Sequence, residues 1–370
     1  MGYYNVNLPN YSIGEDCYNE IPQVAKGFGK TAVVIGGKTA MAKAKDALLK
    51  GIEGSDLKIL DFIWYGGEAS YENGDALIAN ETVQKADILF AVGGGRACDT
   101  VKYVATKMDK PLFTFPTVAS NCASVTAICV IYHPDGTLNE YFIPKLPDHT
   151  FINTAILADS PYDLLWAGIG DALSKECEAV FSSKGKKLSH TPLMGVQLSR
   201  VCTEPLLDYG EGALEALKAK QANKDLEQVA LDIIISTGLV SSMTTQLPDY
   251  YFNSSLAHCV YNASTCTKKG REHLHGEVVS LGVLCLLTYD KQYALRDQIM
   301  AFNAKIGLPV CFDDVEIDED EFDMMGDMAT KTTEWKFKAD DITREKFIQC
   351  MKDQNACGRA FKETHPMYYA

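Results

Sequence analysis

A chain of 370 residues, 46% hydrophobic and 23% charged, has an ordinary soluble globular composition and is too long for one hydrophobic core, so two domains are expected. Its formal net charge of −14 argues against nucleic acid or an anionic membrane as a partner, because phosphates must be met by a basic stripe. Twelve cysteines without a C-x-x-C pair read as reduced thiols of a cytoplasmic protein, and neither a signal peptide, a myristoyl site (Val6 stands where Ser or Thr is needed) nor an apolar span of roughly 20 residues is expected.

Residues 31–36 (TAVVIG) are a β-branched run ending in glycine, the pattern of a buried parallel strand. Met41, Ala44, Leu48 and Ile52 follow at three- and four-residue spacing and predict an amphipathic helix. Residues 57–64 predict a second strand, 74–85 a second helix and 87–92 a third strand. Val101, Val104 and Met108 mark another helix, and 111–115 another strand. Such alternation predicts a doubly wound parallel sheet. Residues 127–132 and 137–143 flank His133-Pro134-Asp135-Gly136 and predict a β-hairpin; 151–157 predict one more strand.

Beyond Ser160 the periodic segments are helical: 164–181, 192–207, 211–220, 226–246, 251–265 and 277–290. Residues 226–240 are apolar on most faces, as in the middle of a bundle. The acidic run 313–323 reads as a solvated loop and helix start. The expectation is an α/β domain over 1–160 and an all-helical domain over 161–370.

Two stretches carry chemistry. Gly93-Gly94-Gly95-Arg96-Ala97-Cys98-Asp99 lies between a predicted strand and a predicted helix, where glycines let the backbone approach a pyrophosphate. It is neither a Walker A loop nor G-x-G-x-x-G, so the motif alone names no cofactor. A second loop, Pro116 to Ser124, offers several hydroxyls at the end of the next strand. In the second half, His275 of HLHGE, His258 of LAHCVYN and Asp171 of AGIGDAL supply two imidazoles and a carboxylate. With an open fourth position these suit a catalytic divalent metal, in a site expected to open toward the cleft between domains. Asp171 is read as the start of a helix, just after a glycine pair.

Taken together, GGGRACD, the PTVAS loop, AGIGDAL, AHCVYN and HLHGE resemble the iron-containing, or group III, alcohol dehydrogenase superfamily, most closely its glycerol dehydrogenase branch. The resemblance spans about residues 20 to 310. It implies a dehydroquinate synthase-like fold, with a dinucleotide-binding α/β domain and an all-α metal-binding domain. It further implies a zinc or iron ion on Asp171, His258 and His275, with His273 outside the ligand set. Nicotinamide cofactor contacts would fall on Gly94, Gly95, Asp99, Thr117, Ser120, Thr126, Ile128 and Tyr132. A homo-oligomer, dimer or octamer, is implied too.

Two departures from that branch bear on specificity. Gly37 stands where an Asp would take the adenosine ribose of NAD, and Lys38 and Thr39 follow it, so NADP(H) is expected to be accepted. In the loop Ser120-Asn121-Cys122-Ala123-Ser124, Cys122 replaces an acid that reaches the polyol, which leaves Asn121 and Cys122 as pocket residues. That change resembles the hydroxycarboxylate dehydrogenases, which reduce 2-oxo acids. The expected reaction is therefore reversible oxidation of a small polyol, alcohol or 2-hydroxy acid. A dehydroquinate synthase-type lyase is the more distant alternative; it would need a row of basic residues that is absent around Asp171 and His258.

Overall fold

Alternation along each central strand decides the layering of the first unit. The strands are β1 (Tyr11–Ile13), β2 (Thr31–Gly36), β3 (Lys58–Trp64), β4 (Ile88–Gly93), β5 (Leu112–Pro116), β6 (Cys129–Tyr132), β7 (Leu138–Phe142) and β8 (His149–Ile152). The computed structural model describes residues 8–246, 249–337 and 341–369. Six strands form one parallel sheet in the order β1-β8-β5-β4-β2-β3, and β6 pairs antiparallel with β7 as the predicted hairpin.

Ala32, Val34, Ile88, Phe90 and Val92 point into one layer, and Val33, Ile35, Leu89 and Ala91 into the other, as a two-residue period requires. Helices α1 (Ile21–Ala25) and α2 (Lys38–Gly51) cover the first face through Ile21, Ala25, Met41, Ala44 and Leu48. Helices α3 (Tyr71–Ile78), α4 (Glu81–Lys85) and α5 (Gly95–Met108) cover the second through Leu77, Val83, Val101 and Val104. Each large side chain so buried contributes about 1.5–3 kcal/mol. The chain runs outward from β2 to β3, then returns to the other side of β2 to make β4. The strand order therefore reverses between β2 and β4.

Three local expectations are corrected. The helix predicted over 74–85 is broken, because the Asn80 side chain accepts from the N–H groups of Thr82 (2.9 Å) and Val83 (3.2 Å) and starts α4 afresh. The strand predicted over 151–157 stops at Ile152, where Asn153 accepts from Ile156 N–H (3.0 Å) and caps α6 (Thr154–Ala158). Strand β1, three residues long, was not expected; its pairing with β8 creates it.

The helices continue as α7 (Tyr162–Ala172), α8 (Ser174–Ser183), α9 (His190–Leu198), α10 (Glu204–Ala219), α11 (Lys224–Leu231) and α12 (Thr237–Thr244). A short ribbon, β9 (Thr245–Gln246) with β10 (Tyr250–Tyr251), precedes α13 (Leu256–Ser264), α14 (His275–Tyr289) and α15 (Tyr293–Ile306). The last are α16 (Phe322–Ala329), α17 (Thr333–Lys336) and α18 (Arg344–Thr364). Two compact units result: residues to Leu165 with Gly212–Ser242, and Trp166–Glu211 with the chain from Met243. The apolar run over 226–240 thus groups with the sheet, while α14, buried along its length, is the central helix of the other unit. Among the described residues Lys224–Thr244 is the one helical run long and apolar enough to cross a membrane, and 67% of its window is buried inside the protein.

The acidic run 313–323 is less solvated than its composition suggests. Asp313 and Glu319 bind Arg359, Asp314 binds Lys362, and buried Glu321 accepts from Lys268 N–H. It is a set of partners for the α18 cations and for the chain leading to α14.

One buried charge organises the first unit. Lys102 is fully buried and donates to the carbonyls of Thr126 (3.2 Å) and Ile128 (2.6 Å), while its ammonium pairs with Asp99 at 2.8 Å. Burial opposes the charge, but Asp99 outweighs it and holds the Lys102 ammonium above its ordinary pKa. Lys102→Met should destabilise the protein by about 3–5 kcal/mol in urea denaturation, because Asp99 and two carbonyls are left buried without their donor. A loss within measurement error would show that the pair is dispensable.

Candidate active site

Three helices of the second unit cross at glycine. A Cβ on Gly276 would lie 1.8 Å from the Ala167 carbonyl oxygen, and one on Gly170 would lie 2.4 Å from that of Gly276. A Cβ on Gly282 would come within 2.4 Å of the Ala257 carbonyl. Any side chain at these positions would push α14 away from α7 or α13. The crossings bring together the residues beside them: Asp171 next to Gly170, His275 next to Gly276, and His258 next to Ala257.

The three donor atoms lie within 4.8 Å of one another. His275 Nε2 is 3.1 Å and His258 Nε2 3.5 Å from Asp171 Oδ1. Asp171 and His258 are largely buried, whereas the His275 side chain is 44% exposed, so one flank is open to a small molecule. The Tyr261 ring meets the His275 ring edge-on at 4.1 Å. Asp171 closes the end of α7 rather than opening a helix: Gly170 before it permits a close crossing instead of breaking the helix.

Glu178, which the sequence reading passed over, completes the cluster from behind. It is fully buried, lies 2.6 Å from His258 Nδ1, and its other oxygen accepts from the N–H groups of Ser255 (2.7 Å) and His258 (3.0 Å). An Nδ1–H held by a carboxylate leaves Nε2 free to act as a ligand. Its position seven residues after Asp171, two helical turns on, was the available signal. Burial alone would raise the Asp171 and Glu178 carboxyls, but the imidazoles beside them reverse that and hold both below their ordinary range. Burial lowers His258 in turn, and Glu178 and Asp171 raise it to about 10. His273 stands apart, with Nδ1 3.0 Å from Glu277.

In the first unit, two glycine corners flank the reversal of strand order. Gly37 N–H donates to Val92 O (3.3 Å), and Gly93, at φ +149°, turns the chain into α5. Helices α2 and α5 begin at Gly37 and Gly94 without a side-chain cap, whereas α3, α4 and α6 are capped by Ser70, Asn80 and Asn153. Free N–H groups therefore stand at both corners, as a pyrophosphate requires. The loop after β5 packs onto this point. A Cβ on Gly94 would meet Val118 at 3.2 Å, and one on Gly95 would meet Asn121 at 3.0 Å.

These geometries have counterparts in known proteins. Residues 9–154 match the model of the iron-containing alcohol dehydrogenase family. The glycerol dehydrogenase of Thermotoga maritima is 32% identical over 263 residues, 69% of each chain. The chain belongs to the iron-containing alcohol dehydrogenase family. The probable glycerol dehydrogenase of Sinorhizobium meliloti 1021 superposes with a TM-score of 0.79 at 25% identity, over 95% of this chain and 98% of that one. Hydroxycarboxylate dehydrogenase A of Escherichia coli K12 is 28% identical over 78% of each chain. The protein is thus a metal-dependent, NAD(P)-linked oxidoreductase of the glycerol dehydrogenase kind.

Within this family member the expected cofactor residues fall into groups. Gly37, Lys38 and Thr39 begin α2, Gly94 and Gly95 begin α5, and Thr117 and Ser120 lie in the loop after β5, all at the carboxyl edge of the sheet. Asp99, Thr126 and Ile128 instead turn polar atoms to Lys102, and Asp99 also accepts from Val130 N–H at 3.0 Å. Tyr132, on β6, lies beneath the Arg96 guanidinium at 5.6 Å. Cys122 is half-buried against Gly238, whose Cβ would stand 3.4 Å from its own.

Glu178→Gln tests the support behind His258. It should weaken divalent-metal affinity by about 10–100-fold, read by competition with a chromogenic chelator, while the thermal midpoint of the metal-free protein moves little.

Proposed function

We propose that Asp171, His258 and His275 hold one divalent cation, and that the enzyme uses it to interconvert a small polyol or alcohol and its carbonyl product. The observation that carries this reading is the convergence of the three donor atoms within 4.8 Å, with His258 fixed from behind by Glu178. An N,N,O donor set with an accessible flank suits zinc, and a reaction whose electrons move as hydride needs no redox change at the metal. Zinc is therefore the proposed ion and iron its rival. When bound, the two groups supply Lewis acidity toward the substrate oxygen and a hydride carrier in the nicotinamide.

The chain's own residues do the rest. Asp171 supplies the negative charge of the ligand set, and Glu178 keeps the His258 Nδ1 proton in place. As ligands, Asp171, His258 and His275 are unavailable as general bases. Gly37, Lys38, Thr39, Gly94, Gly95, Thr117 and Ser120 are the proposed cofactor contacts. Lacking a carboxylate at Gly37, the first corner does not repel a 2′-phosphate, so NADP(H) use belongs to the same proposal. Twelve free thiols suit a reducing, cytoplasmic setting.

His275→Ala should bind less than one equivalent of metal and lose at least about 100-fold in kcat, with its fold intact by circular dichroism. Near wild-type turnover in chelator-treated buffer would remove His275 from the ligand set.

A second reading rests on Cys122. With a thiol in place of an acid in the pocket loop, a substrate carboxylate meets no repulsion there, which favours 2-oxo acids and their 2-hydroxy acids. Nicotinamide absorbance, followed with both cofactors over a set of diols and 2-oxo acids, separates the two readings. Cys122→Asp should lower kcat/KM for 2-oxo acids by about tenfold or more relative to diols, the scale of one unfavourable charge contact. An unchanged ratio would take Cys122 out of the specificity pocket.

A further inference from the structure

Strand β3 ends on an indole that nothing in the reaction requires. Trp64 is 48% exposed, beside the Gly37 corner where β2 gives way to α2. The Lys38 ammonium lies 4.4 Å from the centroid of its ring. On the far side of the strand end, Gly66 and Gly67 take φ of +105° and +100°, and a Cβ on Gly67 would come within 3.1 Å of Trp64 Cζ2. The Tyr65 hydroxyl donates to the Gly67 carbonyl at 2.7 Å and closes that turn. Trp64 therefore packs against a tight turn and has the Lys38 ammonium against its ring.

Lys38 is also electrostatically idle. Like Lys45 over Phe62 and Lys107 over Tyr103, Lys38 has no carboxylate partner among the described residues; what sets it apart is its place as the first residue of α2, directly after Gly37. In a chain of net charge −14, a cation kept from acids and parked on an aromatic face is available for an anion. Its backbone starts α2 directly after Gly37, so its reach is over the carboxyl ends of β2 and β3.

We propose that Trp64 is a positioning residue for cofactor choice: it holds the Lys38 ammonium where a 2′-phosphoadenosine would place its phosphate. This rests on the NADP(H) reading above and deepens it. A flexible lysine in water loses side-chain freedom on binding a phosphate; one already laid on an indole has lost much of it beforehand. The phosphate gains a preorganised cation, while a ligand without the 2′-phosphate gains nothing from it. Trp64 therefore acts on the discrimination between two ligands and not on dinucleotide affinity in general.

The test needs no turnover. Adenosine 2′,5′-bisphosphate and 5′-AMP are titrated calorimetrically into the full-length wild-type protein and into Trp64→Ala, Trp64→Phe, Lys38→Ala and the Lys38→Ala/Trp64→Ala double variant. The wild type should prefer the bisphosphate, and Lys38→Ala should remove about tenfold or more of that preference, as loss of a charge-assisted contact does. Trp64→Ala should reduce it by about two- to fivefold, the scale of one exposed cation–π contact, and Trp64→Phe by less. In the Lys38→Ala background, Trp64→Ala should change nothing further. Equal losses for both ligands would make Trp64 a platform for the base and overturn the proposal, as would an effect of Trp64→Ala that persists without Lys38. If the wild type itself shows no preference for the bisphosphate, the NADP(H) reading fails first and this inference falls with it.

Discussion

The closeness of three helix backbones sets the geometry of the Asp171, His258 and His275 cluster. At Gly170, Gly276 and Gly282 the separation is so short that a methyl group would overlap a carbonyl oxygen. Side-chain packing alone holds helices 8–10 Å apart, a spacing over which a short aspartate and two imidazoles would struggle to share one small cation. Residues 104 apart in sequence are thereby placed 3.1 Å apart without long or flexible side chains. Such a site is stiff because its precision lies in backbone contacts, which have no rotamers to change.

Glycine does different work in the first unit. At Gly37 and Gly94 the helices begin with no side-chain cap, leaving N–H groups that the neighbouring helices hand to Ser70, Asn80 and Asn153. These two uncapped starts fall where the strand order reverses, so their donors stand at the carboxyl edge of the sheet beside that reversal. Unsatisfied donors cost stability, and their concentration at this edge fits a ligand that supplies the missing acceptors.

Much of this was legible from the sequence, for identifiable reasons. Buried parallel strands such as TAVVIG and DILFAV announce themselves by continuous β-branched or apolar runs, and 31–36 became β2 without change. Asp171, His258 and His275 stood out in the sequence because each lies beside small residues in a segment with a candidate metal donor, and the fold brings their donor atoms within 4.8 Å of one another. What escaped depended on contacts distant in sequence. Strand β1 exists through its pairing with β8, and Gly212–Ser242 joins the sheet unit because its apolar faces find partners there. The breaks at Asn80 and Asn153 escaped because a capping side chain is decided by geometry, whereas periodicity reads through it. Asp171 was placed at the wrong end of its helix because glycine suggests a break when it can equally permit a crossing.

Two buried ion pairs differ in what they leave open to a ligand. Around Lys102, the ammonium finds Asp99, Thr126 and Ile128, so every donor direction is used and nothing is left to offer a ligand. Around His258, Glu178 accepts at Nδ1 and two backbone N–H groups donate to its other oxygen, while Nε2 and the Asp171 carboxylate face each other at 3.5 Å. The first arrangement is complete with the chain alone. In the second, Glu178 and Asp171 favour a proton on His258, and a cation at the shared point would take that proton's place. It is this exchangeable position, shared by donor atoms that lie within 4.8 Å of one another, that supports the proposal of Asp171, His258 and His275 as the ligand set.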